Sequence, residues 1–281
     1  MRIAVLGAGR VGTAMALLWQ RAGHQIVGVS GRDHTSARVA TFLGAVPVLP
    51  MDQAAVTAEV GVIAVPDDAI VSVAGEVRPT LAPGTWLGHL SGARGLDVLG
   101  PWPRRFAMHP LQTFPDVERG LLRMAGAAAA ITAEDEEGFA LGETLARDVG
   151  AVPFRLREED RALYHAAAVF ASNHVVATSA IAERLFAAAG VPDPLAAMAP
   201  LQRATIDNVA SLGPAAALTG PAVRGDAATI SSNLRAVSGA EPGAVAVYVA
   251  MCRSMAELAE RTGRLDDAGR AAIEEALAPW F

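Results

Sequence analysis

Three glycines near the N-terminus, Gly7, Gly9 and Gly12, have the G-x-G-x-x-G spacing of a dinucleotide-binding loop. They follow an apolar run at 2–6, typical of a buried strand, and precede a helical pattern at 13–21. Gly7 would allow a tight turn, Gly9 would let the backbone approach a pyrophosphate, and Gly12 would let the helix pack on the strand. The diphosphate would then lie at the helix N-terminus. The alternative is a glycine turn without a ligand. The predicted loop comprises Gly7, Ala8, Gly9, Arg10, Val11 and Gly12.

The end of the second predicted strand, at 25–30, bears on which nucleotide is bound. Enzymes selective for NAD usually place Asp or Glu there, because a carboxylate accepts hydrogen bonds from the ribose. Here Ser30 takes that place and Arg32 follows it closely. Serine does not repel a 2′-phosphate and a guanidinium can bind one, so the pattern predicts NADP, with Arg10 as a second cation. In the alternative, Arg32 is solvated and Asp33 binds the ribose.

Two histidines are candidates for the group that exchanges a proton with a substrate, because imidazole titrates near neutral pH. His165 lies in a helical pattern, in which Ser172 and Asn173 follow on roughly the same stripe. His109 ends a predicted strand and is followed by Gln112, so we expect its ring to point into the cleft. In the alternative both are structural, His165 as a hydrogen-bonded helix residue and His109 as a cap on backbone at the strand end.

Two further turns carry groups that could bind a cofactor or a substrate. Ser91 and Gly92 end a predicted strand, and their hydroxyl and N–H groups could bind the nicotinamide amide or the substrate. Arg224 and Asp226 lie in a turn rich in Gly and Pro, with Asp226 as the expected N-cap of the next helix. Arg224 would then be free to bind a substrate carboxylate through two hydrogen bonds. The alternative is a purely structural Arg–Asp turn.

Strands alternate with helical patterns over the first half of the chain, which predicts an α/β fold with a doubly wound parallel sheet. In such a sheet the carboxyl ends of the strands share one edge, where ligands bind. The turns expected to meet there are 7–12, 30–32, 66–68, 91–92 and 109–113. Val65, Pro66 and Asp67 are candidate cofactor contacts. From about residue 158 the pattern is almost entirely helical, and it begins with one long apolar helix over 158–189. We therefore expect a Rossmann domain at 1–155 and an all-α domain at 156–281.

The composition narrows the function classes. The chain is 52% hydrophobic without a stretch long enough to span a membrane, and its formal net charge of −6 disfavours binding to nucleic acid. The first strand begins close to Met1, so no signal peptide is expected and a cytoplasmic protein is predicted. All 23 basic residues are arginine, which removes Schiff-base chemistry through lysine. One cysteine, Cys252, offers no thiolate metal site, and no metal is predicted. The apolar long helix favours a homodimer through the helical domain.

Several segments resemble a known group of enzymes. They are VPDDAI at 65–70, HLSGARGLDVL at 89–99, HPLQTFPD at 109–116, RALYHAAAVFASN at 161–173 and LTGPAVRGDAAT at 218–229. The chain resembles the superfamily of 6-phosphogluconate, 3-hydroxyisobutyrate, pyrroline-5-carboxylate and ketopantoate dehydrogenases and reductases. More narrowly, it is similar to a bacterial family with a Rossmann-like domain followed by a helical domain of unknown function. The resemblance implies that His165 stands where ketopantoate reductases have a catalytic lysine, with Asn173 orienting the substrate. A His-Pro turn like that at His109 contacts the substrate hydroxyl in prephenate dehydrogenases.

Together these features predict an NADPH-dependent reductase of a small carboxylate-bearing carbonyl compound or imine, with a 2-oxo acid such as ketopantoate as the expected substrate. His165, or failing that His109, would supply the proton, while Asn173 and Ser91 orient the oxygen. Gln112, Ser172, Arg224 and Asp226 are the candidate substrate contacts. One alternative is a dehydrogenase of a hydroxy or cyclohexadienyl acid with His109 as base. Another is a regulator that binds NADP without turnover.

Overall fold

The computed structural model describes residues 1–280 and divides into two compact units, Met1–Phe170 and Ala171–Phe281. The division falls later in the chain than the predicted boundary at 155/156. The reason is that residues just after the last strand pack on the sheet, where the buried Arg161 side chain donates hydrogen bonds to the Ser91 carbonyl and the Thr132 hydroxyl. The helical pattern starts near the predicted place, but its first helix is part of the first unit.

The first unit is built around one sheet. Within residues 1–280 its strands are β1 Arg2–Leu6, β2 Gln25–Ser30, β3 Val60–Ile63, β4 Trp86–His89, β5 Arg105–Pro110, β6 Ala128–Ala133 and β7 Val152–Arg155. Its helices are α1 Arg10–Arg21, α2 Thr35–Phe42, α3 Met51–Ala54, α4 Ile70–Val77, α5 Val117–Arg123, α6 Glu136–Asp148 and α7 Arg161–Ala171. This alternation confirms the predicted α/β class.

The strands lie in the order β2-β1-β3-β4-β5-β6-β7, and β1 to β5 are parallel. The predicted parallel sheet is confirmed for most of its strands, and its last two strands depart from that direction, since β6 is antiparallel to β5 and β7 is parallel to β6. An apolar run does not show strand direction, because a buried strand looks the same either way. The expected strand at 46–49 forms only a bridge between Val48 and Val29.

Successive side chains of a strand point to opposite faces, and each face of this sheet carries an apolar core. Val5 packs with Trp19 and Phe106 on one face, whereas Leu6 packs with Ile70 and Leu87 on the other. The Trp19 indole N–H also donates to the Leu145 carbonyl oxygen at 3.0 Å, which joins α1 to α6. Helices on both faces hold the carboxyl ends of β1, β3, β4 and β5 at one edge, which we call the carboxyl edge.

The second unit is helical. Its helices within the described residues are α8 Asn173–Ala188, α9 Pro194–Leu212, α10 Pro214–Ala217, α11 Ala227–Ala240, α12 Val245–Arg261 and α13 Asp267–Leu277. Ile230, Leu234, Cys252, Ala256 and Ile273 form a core of α11, α12 and α13. The expected helix over 158–189 is interrupted at Ser172, where φ is −126° and ψ is −67°. In residues 1–280 no helix is both long and apolar enough to cross a membrane.

Candidate functional site

The loop after β1 has the backbone that the glycine spacing predicts. Gly7 has φ +117°, a conformation that residues with a side chain rarely adopt, and its N–H and that of Ala8 donate to the Ser30 carbonyl oxygen. A Cβ at Gly12 would overlap the Gly7 carbonyl oxygen and lie 3.1 Å from the Ala64 Cβ. Gly7 therefore makes the turn, and Gly12 allows α1 to pack against the loop and the end of β3.

The same loop leaves room for a ligand at Gly9. A Cβ built there has no neighbour within 4 Å, unlike those at Gly7 and Gly12. Helix α1 begins at Arg10, so its first backbone N–H groups lack partners within the helix and lie at the positive end of its dipole. The residues present therefore fit a diphosphate held on main-chain N–H groups.

The end of β2 differs from the expectation for its serine. Ser30 is buried and its hydroxyl donates to the Met51 sulfur at 2.7 Å, so the side chain lies in the interior. Arg32 is exposed on the following loop. Arg38, which we did not single out in the sequence, reaches back from α2 and donates to the Ala8 carbonyl oxygen at 2.8 Å. Arg10 is engaged elsewhere, donating to the Pro115 carbonyl oxygen at 3.2 Å.

Turns after β3 and β4 complete this part of the edge. A Cβ at Gly7 would lie 2.7 Å from Val65 Cγ1, which places Val65 beside the nucleotide loop, and Pro66 and Asp67 follow it. The Ser91 hydroxyl oxygen accepts hydrogen bonds from the backbone N–H groups of Ala93 and Arg94, so it shapes its own turn.

His89, at the end of β4, is fully buried and structural. Its Nε2 lies 3.0 Å from the Gly95 carbonyl oxygen, and its Nδ1 accepts from the Ser91 N–H at 3.2 Å. Those partners require a neutral ring with the hydrogen on Nε2. Burial lowers the pKa of His89 to about 4, and the nearby Arg161 guanidinium acts in the same direction.

The two rival histidines of the sequence lie next to each other. The ring centroids of His109 and His165 are 6.5 Å apart, with ring planes at 68°. Nδ1 of His109 lies 2.7 Å from the Tyr164 hydroxyl, whereas Nδ1 of His165 is buried without a partner among the described residues. The Tyr164 ring contacts Phe154 edge-on, and its hydroxyl joins the site.

The surroundings of His109 keep its ring neutral. The pKa of His109 is lowered to about 4, mainly by burial and in part by His165 and Arg161, while Asp67 opposes the shift. Burial raises the pKa of Tyr164 to about 12, while Arg161 opposes that shift. Gly92 packs on the imidazole face, since a Cβ there would lie 2.8 Å from Cε1 and Nε2 and 2.9 Å from Nδ1. A side chain at position 92 would therefore displace the ring.

Arg161 is the buried cation of the site, with only 2% of its surface exposed. Its Nη1 donates to the Ser91 carbonyl oxygen at 2.9 Å and to that of Gly92 at 3.4 Å, and its Nη2 donates to the Thr132 hydroxyl at 2.8 Å. Its closest carboxylate contact, with Glu158, is 3.9 Å long. Arg161, Tyr164 and His165 are spaced for one helical face, a signal that could have identified them in the sequence.

The candidate substrate contacts do not all have free side chains. Gln112 holds its own loop, because its amide accepts from the Thr113 N–H and donates to the Arg123 carbonyl oxygen. Among residues 1–280, no three His, Cys, Asp or Glu side chains are grouped so that they could bind a metal ion.

The other candidates lie in the second unit. Asp226 caps α11 as expected, accepting from the Thr229 N–H and hydroxyl, and these bonds lower its pKa. The Arg224 side chain is 64% exposed and lies 3.9 Å from Asp226, and with Gly263 and Arg264 it lines an open depression of about 620 Å³. Because α7 ends at Ala171 and α8 begins at Asn173, His165 and Asn173 do not share the continuous stripe that we expected.

Comparison with known proteins agrees with this architecture. Residues 1–115 match the model of a Rossmann-like domain, and residues 127–255 match that of DUF2520, a domain of unknown function. No curated protein matches the chain.

Solved structures share the fold over most of the chain. A proposed NADP oxidoreductase from Bacteroides fragilis is 25% identical with a TM-score of 0.80, covering 91% of this chain and 98% of its own. A Thermotoga maritima protein is 23% identical with a TM-score of 0.74, covering 92% and 99%. An imine reductase from Myxococcus stipitatus, solved with NADP⁺, is 16% identical with a TM-score of 0.67, covering 100% and 99%. The last two similarities show the fold alone. The chain thus combines a Rossmann-like domain with a DUF2520 domain.

Proposed function

We propose that the protein is an NADPH-dependent reductase of a small carbonyl compound or imine that carries a carboxylate. One observation carries the proposal: the parallel strands β1, β3, β4 and β5 bring the glycine loop and the His109–Tyr164 pair to the same carboxyl edge. That edge is where a sheet of this kind binds ligands. The names of two similar structures, an NADP oxidoreductase and an imine reductase solved with NADP⁺, support a nicotinamide cofactor.

The loop over residues 7–12 would hold the cofactor diphosphate, with Val65, Pro66, Asp67, Ser91 and Gly92 toward its nicotinamide end. When bound, the cofactor supplies a hydride to the carbonyl or imine carbon. The preference for NADP rests on arginines and on the lack of a carboxylate at the end of β2. Arg32 is exposed and can turn toward a 2′-phosphate, whereas Arg38 and Arg10 already bind carbonyl oxygens. Because the Ser30 side chain is buried, Ser30 would contact the cofactor through its backbone atoms.

His109 and His165 are the proposed proton donors, and both lie where the neighbouring strands end. The roles of Asn173, Ser172, Arg224 and Asp226 in orienting the substrate and binding its carboxylate stay predictions from the sequence. The wider relationship to 6-phosphogluconate dehydrogenases and ketopantoate reductases, ketopantoate as substrate and a cytoplasmic location stay predictions. The alternative of a dehydrogenase with His109 as base is less favoured, because a pKa of about 4 makes this imidazole a weak base.

We also propose a homodimer through the second unit. Helix α8 has no buried side chain and α9 has one, Met198, within residues 1–280. Apolar residues on both helices are exposed, Val176 by 68% and Leu201 by 63%. Helices of this length depend on tertiary packing for their stability, so a second copy of the chain is proposed to cover these faces.

Binding and turnover assays test the proposed function. Titration calorimetry should show that NADPH binds more tightly than NADH, and Arg32→Ala should weaken NADPH binding far more than NADH binding. Equal losses would remove the argument for a 2′-phosphate contact. The oxidation of NADPH is then followed with 2-oxo acids, including ketopantoate, and with cyclic imines.

The same panel decides between the proposed enzyme and a regulator. We expect turnover of at least one substrate, and His165→Ala to lower it by about 10²–10⁴ if that residue is the proton donor. Tight NADPH binding without turnover of any substrate would favour a regulator. No binding of either nucleotide would refute the proposal altogether.

A further inference from the structure

The contacts around His109 define a short hydrogen-bonded chain. Tyr164 and Arg161 lie one turn apart on α7, the tyrosine facing Nδ1 of His109 and the arginine buried beside the ends of β4 and β6. Among residues 1–280, the Tyr164 hydroxyl has His109 Nδ1 as its hydrogen-bond partner, at 2.7 Å. If the phenol did not donate its hydrogen to Nδ1, that hydrogen would lack an acceptor in this part of the chain.

The direction of this hydrogen bond determines the state of the imidazole. Tyr164 keeps its proton at neutral pH, and burial moves its pKa further from neutrality, to about 12. His109 is neutral because burial, His165 and Arg161 lower its pKa to about 4. A neutral imidazole has one N–H, and with Nδ1 accepting from the phenol the hydrogen is on Nε2. His109 can then donate a hydrogen bond without being an imidazolium.

We propose that Tyr164 delivers, through His109, the proton that the reduced substrate takes up, and that Arg161 stabilises the tyrosinate so formed. This inference rests on the proposed reductase function. As hydride reaches the substrate carbon, the substrate oxygen or nitrogen takes the hydrogen from His109 Nε2. His109 Nδ1 takes the hydroxyl hydrogen of Tyr164, so the ring stays neutral and changes tautomer. The negative charge ends on the Tyr164 oxygen, and water returns the proton afterwards.

The charges facing the pair favour this path over an imidazolium donor. His165 and Arg161, from α7, both disfavour a positive charge on His109, whereas Asp67, from the turn after β3, partly offsets them. Arg161 favours a negative charge on Tyr164. Glu158 is the one carboxylate paired with Arg161 in the described residues, at 3.9 Å, so the guanidinium charge is not neutralised by a close partner. The Arg161 charge thus offsets part of the cost that burial imposes on an anion at Tyr164.

The tautomer of His109 can be measured without a substrate. Long-range ¹H–¹⁵N NMR of the histidine-labelled protein, assigned with His109→Gln, should show a neutral Nε2–H ring from pH 5.5 to 8. In Tyr164→Phe a fraction of the ring should shift to the Nδ1–H tautomer. Tyr248→Phe, which removes the other tyrosine hydroxyl of the chain, should leave the His109 signals unchanged. An Nδ1–H ring or an imidazolium at pH 6 in the unmodified protein would overturn the inference.

Kinetics separate this inference from the proposed function. With any substrate that turns over, Tyr164→Phe should lower kcat by about 10² while the dissociation constant for NADPH stays unchanged. The kcat of the unmodified enzyme should be flat from pH 6 to 9, whereas an imidazolium donor would lose activity as pH rises through 7. A kcat that does not fall in Tyr164→Phe would refute the relay but not the reductase. If the protein binds no NADPH, the proposed function fails, and a relay in this reaction fails with it, whatever tautomer NMR records.

Discussion

His89 offers a test of how strongly burial controls charge in this fold. Its pKa falls from 6.5 to about 4 in the folded protein, because the ring is fully buried and Arg161 is close. Each pKa unit corresponds to about 1.4 kcal/mol, so the shift is linked to roughly 3 kcal/mol of stability. The sign follows from proton binding: between pH 6.5 and 4 the unfolded chain binds a proton at this position and the folded chain does not. Stability therefore falls as pH falls through that range.

Replacing His89 by Gln should remove most of this dependence. The glutamine amide can still donate to the Gly95 carbonyl oxygen, the contact that Nε2 makes, but it does not titrate. Urea unfolding at pH 8, 6.5, 5.5 and 4.5 should show that the variant loses about 2–3 kcal/mol less stability on acidification than the unmodified protein.

The control is His34→Asn, at an exposed position whose left-handed backbone (φ 63°) asparagine tolerates. It should keep the pH dependence of the unmodified protein. If His89→Gln has the same slope of unfolding free energy against pH as the unmodified protein, His89 is not held neutral and the argument from burial fails.

Three further outcomes are expected. Gly12→Ala places a Cβ on the Gly7 carbonyl oxygen, so it should lower the free energy of unfolding by about 1–3 kcal/mol in urea and weaken NADPH binding in calorimetry. Gly84→Ala is the control, because a Cβ at that position has no neighbour within 4 Å. Arg38→Met removes a hydrogen bond to the Ala8 carbonyl oxygen rather than a phosphate contact, so the dissociation constants for NADPH and NADH should both rise by about tenfold. A rise in the dissociation constant for NADPH alone would contradict this. Leu201→Asp should yield monomers in sedimentation experiments, whereas the control Leu122→Asp, on the exposed face of α5, should not. If the unmodified protein is itself a monomer, the dimer is excluded.

The nucleotide loop and the fold class were predictable because their signals are local. A positive φ at Gly7, a close approach at Gly12 and a helix starting at Arg10 all follow from the spacing of a few neighbouring residues. The periodicity of apolar residues likewise placed the first two strands, predicted at 2–6 and 25–30, where the structure has Arg2–Leu6 and Gln25–Ser30. Asp226 as a helix cap belongs to the same class, since a cap contacts residues that follow it directly.

Features that join distant parts of the chain were not predictable in this way. The directions of β6 and β7, and the burial of the Ser30 side chain against Met51, depend on which elements become neighbours. The helix break at Ser172 was not predictable from the sequence, because no proline or glycine lies next to it. From the sequence, His109 and His165 are alternatives, whereas in the structure both rings lie close together beside Tyr164.

By itself the sequence determined a glycine-rich turn between a strand and a helix, because backbone conformation and apolar period depend on residues within a few positions of each other. Only the tertiary structure decided which side chains surround His109. Tyr164 is 55 residues from it in the chain and Arg161 is 70 residues from Ser91, so strand register and helix packing set those contacts. The pKa values follow from the same packing, since burial lowers the pKa of His109 and raises that of Tyr164, and both shifts favour the neutral form.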